Sequence, residues 1–293
     1  MRKLFSFKSI FVSASFIAML IVPTAYSQDN PAQNMPEGAV KMAYQFLGDK
    51  PLSYRTEGKI VQDMDINGQS MLVNISTYAG CTVMPEGNQE GNLVLEVKID
   101  SLAQVVDSPQ GVMGGPVTDV KGKSFKAVLA PNGKTIDISG AKEITYSSPG
   151  GDEVNAYQIF SDFFPLLPVN DVNIGDKWIT NDTSDIKNEY NSRYMPVESD
   201  CVFEGYEDID GIRCAKITAT MKGTMKITNQ SQGMEVTSSG DLTGERTLYF
   251  AVDKGYYVKE IVKSKMNGTV EIADQGMSFP VVMDITTTNE LIR

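Results

Sequence analysis

Apolar and polar residues alternate along most of this chain from Ala39 onward, and a period of two marks strands with one buried face. The stretch "MLVNISTYAGC" places Met71, Val73, Ile75, Thr77, Ala79 and Cys81 on one face. Leu72, Asn74, Ser76 and Tyr78 fall on the other. Residues 93–99, 124–130, 134–138, 214–228, 246–252 and 256–266 read in the same way. In the last strand Met277, Phe279, Val281, Met283 and Ile285 alternate with Ser278, Pro280, Val282, Asp284 and Thr286. Pro280 there predicts an edge strand or a bulge, because proline cannot donate to a ladder.

Turn residues punctuate the alternation at Asn67-Gly68, Asn132-Gly133, Asp210-Gly211, Lys254-Gly255 and Gln275-Gly276. Long strands joined by tight turns predict antiparallel pairing rather than crossover units. One segment breaks the period. In "GDEVNAYQIFSDFFP", Val154, Tyr157, Phe160 and Phe164 form a helical stripe, and Pro165 follows it. The spacing predicts a helix over 152–164 whose aromatic face packs on the sheet.

The fold expected is mainly β: long antiparallel strands in a curved sheet or open roll with one central amphipathic helix. The expected organisation is a first β lobe over 38–150, a helix and Pro-rich connector over 151–175, and a second β lobe over 176–293. The two lobes repeat a strand, Asp-Gly or Asn-Gly turn, strand order, so duplication and chance recurrence of hairpins both stay open.

Candidate chemistry is sparse. "QDMDINGQSM" carries Asp63, Asp65, Asn67 and Gly68, the front half of a calcium loop. Position 12 of that loop needs a bidentate Glu, and counting from Asp63 it is Asn74. A two-residue hairpin instead pairs Met64 with Met71, Ile60 with Ile75, Thr56 with Ala79 and Tyr54 with Cys81 on one face. It pairs Lys59 with Ser76 and Glu57 with Tyr78 on the other. One register sorts both strands, and a slip of one residue would scramble it. At Asp210-Gly211 a three-residue loop predicts Phe203 opposite Ile217, Glu207 opposite Arg213 and Glu204 opposite Lys216. That register separates Cys201 from Cys214, so a disulfide between them is disfavoured. Cys81 reads as a small core residue. Met221 and Met225 share a strand face and read as core filling before copper ligands. Asn74, Asn181, Asn229 and Asn267 begin N-x-[ST] triplets, which matter only where exported proteins are glycosylated.

There is no histidine, which removes Ser-His-Asp and Cys-His catalysis and His-ligated zinc. No residue is assigned a catalytic, cofactor-binding or metal-ligating role, and no cofactor is expected. A carboxylate pair drawn from distant strands stays invisible to sequence reading.

The N-terminus reads as a signal peptide over 1–27: Arg2, Lys3 and Lys8, then an apolar run from Ile10 to Val22, Pro23, and Ala25-Tyr26-Ser27. Residues 28–37 read as a disordered lead-in. Cleavage near Ser27 removes three basic residues and takes the net charge from −11 to −14. Such a surface repels nucleic acid and anionic headgroups. No later apolar run is long enough for a membrane-spanning helix. The expected location is therefore periplasmic or secreted.

The most distinctive stretch is "FFPLLPVNDVNIGDKW", 163–178, which ends on Trp178, the only tryptophan. With "LGDKPLSYR", the Asp-Gly hairpin and "DKGYYVKE", it resembles uncharacterised exported β proteins of Bacteroidetes type. That resemblance implies no activity and carries no functional residues. The function expected is non-enzymatic: an extracytoplasmic protein holding a hydrophobic or envelope-derived ligand in its curved sheet, with 107–122 as a lid. The alternatives are a structural or interaction protein of the envelope and, further off, a carboxylate-dependent hydrolase.

Overall fold

The structure is a computed structural model that describes residues 38–46, 50–66, 68–151, 153–187, 191–231 and 234–292. The expected signal peptide, the lead-in and Asn67 lie outside the described residues. The first half of the chain forms β1 (Leu52–Ile66), β2 (Gln69–Gln89), β3 (Asn92–Ser108), β4 (Gly111–Pro116), β5 (Ser124–Leu129) and β6 (Thr135–Asp137). A small hairpin, β7 (Thr145–Ser147) and β8 (Glu153–Asn155), and the helix α1 (Tyr157–Phe160) follow. The second half forms β9 (Lys177–Lys187), β10 (Asn191–Ile209), β11 (Ile212–Ser231), β12 (Met234–Ala251), β13 (Tyr256–Ile272) and β14 (Met277–Ile292).

All strands but β7 and β8 join one twelve-stranded antiparallel sheet in the order β6-β5-β3-β2-β1-β14-β13-β12-β11-β10-β9, with β4 also on β3. The sheet is open, and its edges are β6 and β9. Each half is a meander, as tight turns require, and the two halves meet where β1 pairs with β14. This order has a topological consequence. The chain leaves the sheet at one edge and re-enters at the other, so residues 138–176 must cross one face. We call that face inner.

Alternation fills it. Leu95, Val97, Val83, Tyr54, Tyr257, Phe250, Leu248, Ile217 and Phe203 form a core with the connector's Phe160, Phe163, Phe164 and Leu167. The Phe163 ring meets Tyr54, Phe160, Phe164 and Tyr257 at centroid distances of 4.9–5.9 Å. Residues 38–46 add Tyr44, whose hydroxyl donates to the Pro165 carbonyl at 2.9 Å.

A second cluster lies towards the other end of the long strands on the same face. It holds Met64, Met225, Leu242, Met266, Val270, Val281 and Met283, with Met266 fully buried. The sheet also bends sharply across β12. Cα atoms of the second-neighbour strands β11 and β13 come within 8 Å, against roughly 9.5 Å in a flat sheet. Glycines permit it: Gly240 faces Gly268 across β12 and β13. A Cβ on either would come closer than 3.0 Å to backbone atoms of the other strand.

The first hairpin has the predicted register at every pair named above. The second departs by one residue: Glu207 faces Cys214, and Lys216 faces Gly205. Asp210 and Gly211 both take positive φ, 51° and 75°, which makes a two-residue turn of the kind that matches strand twist. A bulge between Phe203 and Gly205 absorbs the difference, so Phe203 still faces Ile217. The helix is shorter than its stripe, four residues over 157–160, and Val154 lies on β8. The aromatic spacing reflects a connector pressed onto the core, not a long helix. Residues 111–116 are a strand paired along β3, not a free lid. Pro280 is on a central strand, just past the last pairing of β14 with β1 at Met64 and Val281, where no N–H is needed on that side.

Candidate functional site

Between the two apolar clusters the inner face turns polar, and the strand register shows which side chains meet. One row across the sheet runs Leu248, Glu260, Asn289, Thr56 and Ala79. The next runs Trp178, Cys201, Ala219, Arg246, Val262, Thr287, Gly58 and Thr77. A bulge at Val258 makes Tyr257 and Glu260 consecutive inward residues of β13.

Glu260 and Asn289 are buried, at 6% and 5% exposure. The Thr56 hydroxyl donates to Asn289 Oδ1 at 2.7 Å, and Asn289 Nδ2 donates to Glu260 Oε2 at 3.0 Å. Burial pushes the Glu260 carboxyl above its ordinary pKa; Arg246 and Asn289 pull it down, and Asp162 adds to the rise. The Tyr257 hydroxyl, Trp178 Nε1 and Arg246 Nε are buried without an acceptor. Among the described residues Arg246 makes one hydrogen bond, from Nη2 to the Cys201 sulfur at 3.7 Å. By contrast Arg193 is satisfied: it pairs with Asp162 at 2.5 Å and donates to Ser184 and Ser161, which latches the connector to β9 and β10.

The next row holds Met221, Gly244, Ser264, Ile285, Ile60 and Ile75. These side chains are only half-buried, as are Val262 and Val106. A middle stretch of long strands that stays water-accessible on its inner face is a trough: apolar on the floor, polar at one end and methionine-rich at the other.

Other features carry less. A depression of about 720 Å³ is lined by Ile179, Asp200, Val202, Thr218, Glu245 and Thr247, together with Trp178, Cys201, Ala219 and Arg246 of the inner row. Asp65 Oδ1 accepts the Gly68 N–H at 2.7 Å, and Asp63 Oδ1 accepts the Ser70 hydroxyl at 2.6 Å, so both acids serve the hairpin. Among the described residues no group of three or more acidic, Cys or His side chains could hold a metal ion. The three cysteines are buried, and no disulfide joins them. Cys201 belongs to the inner core and Cys214 to a cluster with Ala251 and Val258. Met225 is in the methionine cluster, while Met221 is half-buried one row or more away. No helix among the described residues is long and apolar enough to cross a membrane.

Sequence reading did not single out Arg246, Glu260 or Asn289. A signal was present: Arg246 shares parity with Leu248 and Phe250 in "ERTLYF", a charge at an apolar position of a strand.

No family model matches the chain, and no curated protein does. Among solved structures, the chain is similar to a DUF1329 family protein from Desulfovibrio piger, at 14% identity over 79% of this chain and 83% of that one. The TM-score is 0.14, so the likeness brings neither fold nor function to this chain.

Proposed function

We propose that this is a non-enzymatic, extracytoplasmic protein that holds a hydrophobic or envelope-derived ligand in the trough of its curved sheet. The observation that carries the reading is the half-buried apolar floor of Ile75, Val106 and Val262, continued by Ile60 and Ile285 at the edge of the methionine cluster. Folding alone favours burying such side chains fully, at about 25 cal/mol per Å². A ligand chain laid on this floor completes the burial that the fold leaves undone. Methionines at one end suit a flexible apolar guest, since their unbranched side chains repack readily. Export rests on the signal-peptide pattern of residues 1–27.

The test is native mass spectrometry of the protein purified from its own host envelope. The expected result is a co-purifying apolar molecule released by denaturation. Protein that carries nothing, and that binds no acyl probe when delipidated, would sink the reading in favour of an envelope interaction protein.

A further inference from the structure

Arg246 is the unusual group on the inner face. Arg193, the neighbouring inward guanidinium, has the Asp162 carboxylate at 2.5 Å. Arg246 forms no ion pair within 4.0 Å among the described residues, its Nε has no acceptor, and a thiol 3.7 Å away is its hydrogen-bond partner. A guanidinium partly withdrawn from water without an anion in contact is costly, and its planar fork fits a carboxylate or phosphate. Glu260 lies diagonally across β12 and β13 and interacts only at longer range, with Asn289 donating to its carboxylate.

The position of Arg246 matters as much as its charge. It stands at the polar end of the trough, beside Val262 and one row from Gly244 and Ser264. The methionine cluster begins beyond them. From Arg246 on β12 the half-buried floor runs across β13, β14, β1 and β2 to Val106 on β3, five strand spacings or roughly 24 Å, which accommodates a tetradecyl chain.

We infer that the trough takes an acyl chain ending in an anionic oxygen head, a carboxylate or a phosphate, and that Arg246 binds this head. The inference rests on the ligand reading above and gives it a direction: head at Arg246, tail across the sheet towards Ile75 and Val106. Burial of Glu260 holds that acid towards its neutral form, which limits its repulsion of an incoming anion.

Trp178 occupies the same row as Arg246, beyond Cys201 and Ala219, and is the only tryptophan. Its fluorescence is therefore a built-in reporter. The delipidated chain is titrated below micelle-forming concentrations with myristate, tetradecyl phosphate, monomyristoylglycerol and tetradecyltrimethylammonium. One or both anions are expected to bind at least about tenfold tighter than the glyceride and the cation, the size of one charge-assisted contact. The tighter of the two tells a fatty acid from a phospholipid source. Arg246→Gln is expected to cut anion affinity by about tenfold to a hundredfold and to leave glyceride binding unchanged; Arg246→Lys retains the preference for anions. Because Arg246 has no ion pair within 4.0 Å among the described residues, Arg246→Gln is expected to fold; a variant that does not fold leaves the four-probe comparison to decide. Equal affinity for anion and glyceride, preference for the cation, or an Arg246→Gln protein that binds anions normally overturns the head assignment while the trough reading stands. Failure of all four probes overturns both.

Discussion

Replacing Glu260 by glutamine should stabilise the protein above the ordinary carboxylate range, by an amount that grows with pH until the folded carboxyl is ionised. Glu260 is 6% exposed, and burial lifts its carboxyl pKa above the ordinary value despite Arg246 and Asn289. The folded chain therefore takes up this proton at a higher pH than the unfolded chain does. Between the unfolded pKa, about 4.3, and the higher folded one, the native state binds more protons, so unfolding free energy falls as pH rises. The penalty is absent below the unfolded pKa and complete above the folded one. Its slope is at most about 1.4 kcal/mol per pH unit. Other carboxylates act in the opposite sense. Asp137 accepts the Ser139 N–H, Glu207 pairs with Lys216, and at Glu290 burial works upward but Arg55 and Lys259 outweigh it. All three titrate low and lose their contribution on acidification. The difference between wild type and Glu260→Gln cancels them. The substitution keeps an oxygen for Asn289 Nδ2, which is 3.0 Å away in the native protein. Urea unfolding followed through Trp178, at several values from about pH 4 to about pH 8, measures the difference. The variant should gain on wild type as pH rises above the unfolded carboxyl pKa and hold that gain once the folded carboxyl is ionised. A difference independent of pH, or one that favours the variant towards acid, would refute the argument that burial governs this carboxyl.

Two further substitutions probe the connector and the bend. Phe163→Ala should cost about 3–5 kcal/mol, because the ring is 3% exposed and touches four other aromatics; a urea-measured loss below about 1 kcal/mol would mean that the connector is not part of the core. Gly268→Ala should cost about 1–3 kcal/mol by crowding, since its Cβ would meet the Ser239 and Gly240 backbone. Gly58→Ala, whose nearest contact would be 3.7 Å, should stay within about 0.5 kcal/mol of wild type, and equal losses at the two sites would contradict the bend.

What could be read beforehand, and what could not, follows from the range of each constraint. The β1–β2 register was legible because alternation on two faces and an Asn-Gly turn agree, and only one pairing satisfies both. The β10–β11 register was off by one near its turn because a bulge leaves alternation intact on either side of itself; Gly205, at φ 137°, is its trace in the sequence. The stripe at 152–164 misled for a different reason. A segment forced across a sheet buries aromatics wherever the backbone allows, and helical spacing arises without a helix of that length. The trough lay furthest from view. Thr56 and Asn289 are 233 positions apart and meet only because β1 pairs with β14. No local pattern encodes the pairing of a chain's first and last strands.

The polar belt is not something this fold needs in order to stand. On either side of it the inner face is packed with Phe, Leu and Met, and Met266 is sealed without the connector over it. Burying Glu260 and leaving Arg246 without an ion pair among the described residues costs stability that apolar residues of similar size would not. The connector is latched to β10 where Asp162 meets Arg193, whereas the half-buried floor lies on other strands, β13, β14, β1, β2 and β3. Curvature, register and core thus come from residues outside the belt, and the belt's composition is left free for another purpose. The stability and binding consequences of substitution should therefore separate. Changes at Phe163 or Gly268 weaken the fold, whereas changes at Arg246 or Glu260 leave it as stable or more so and alter what the trough accepts.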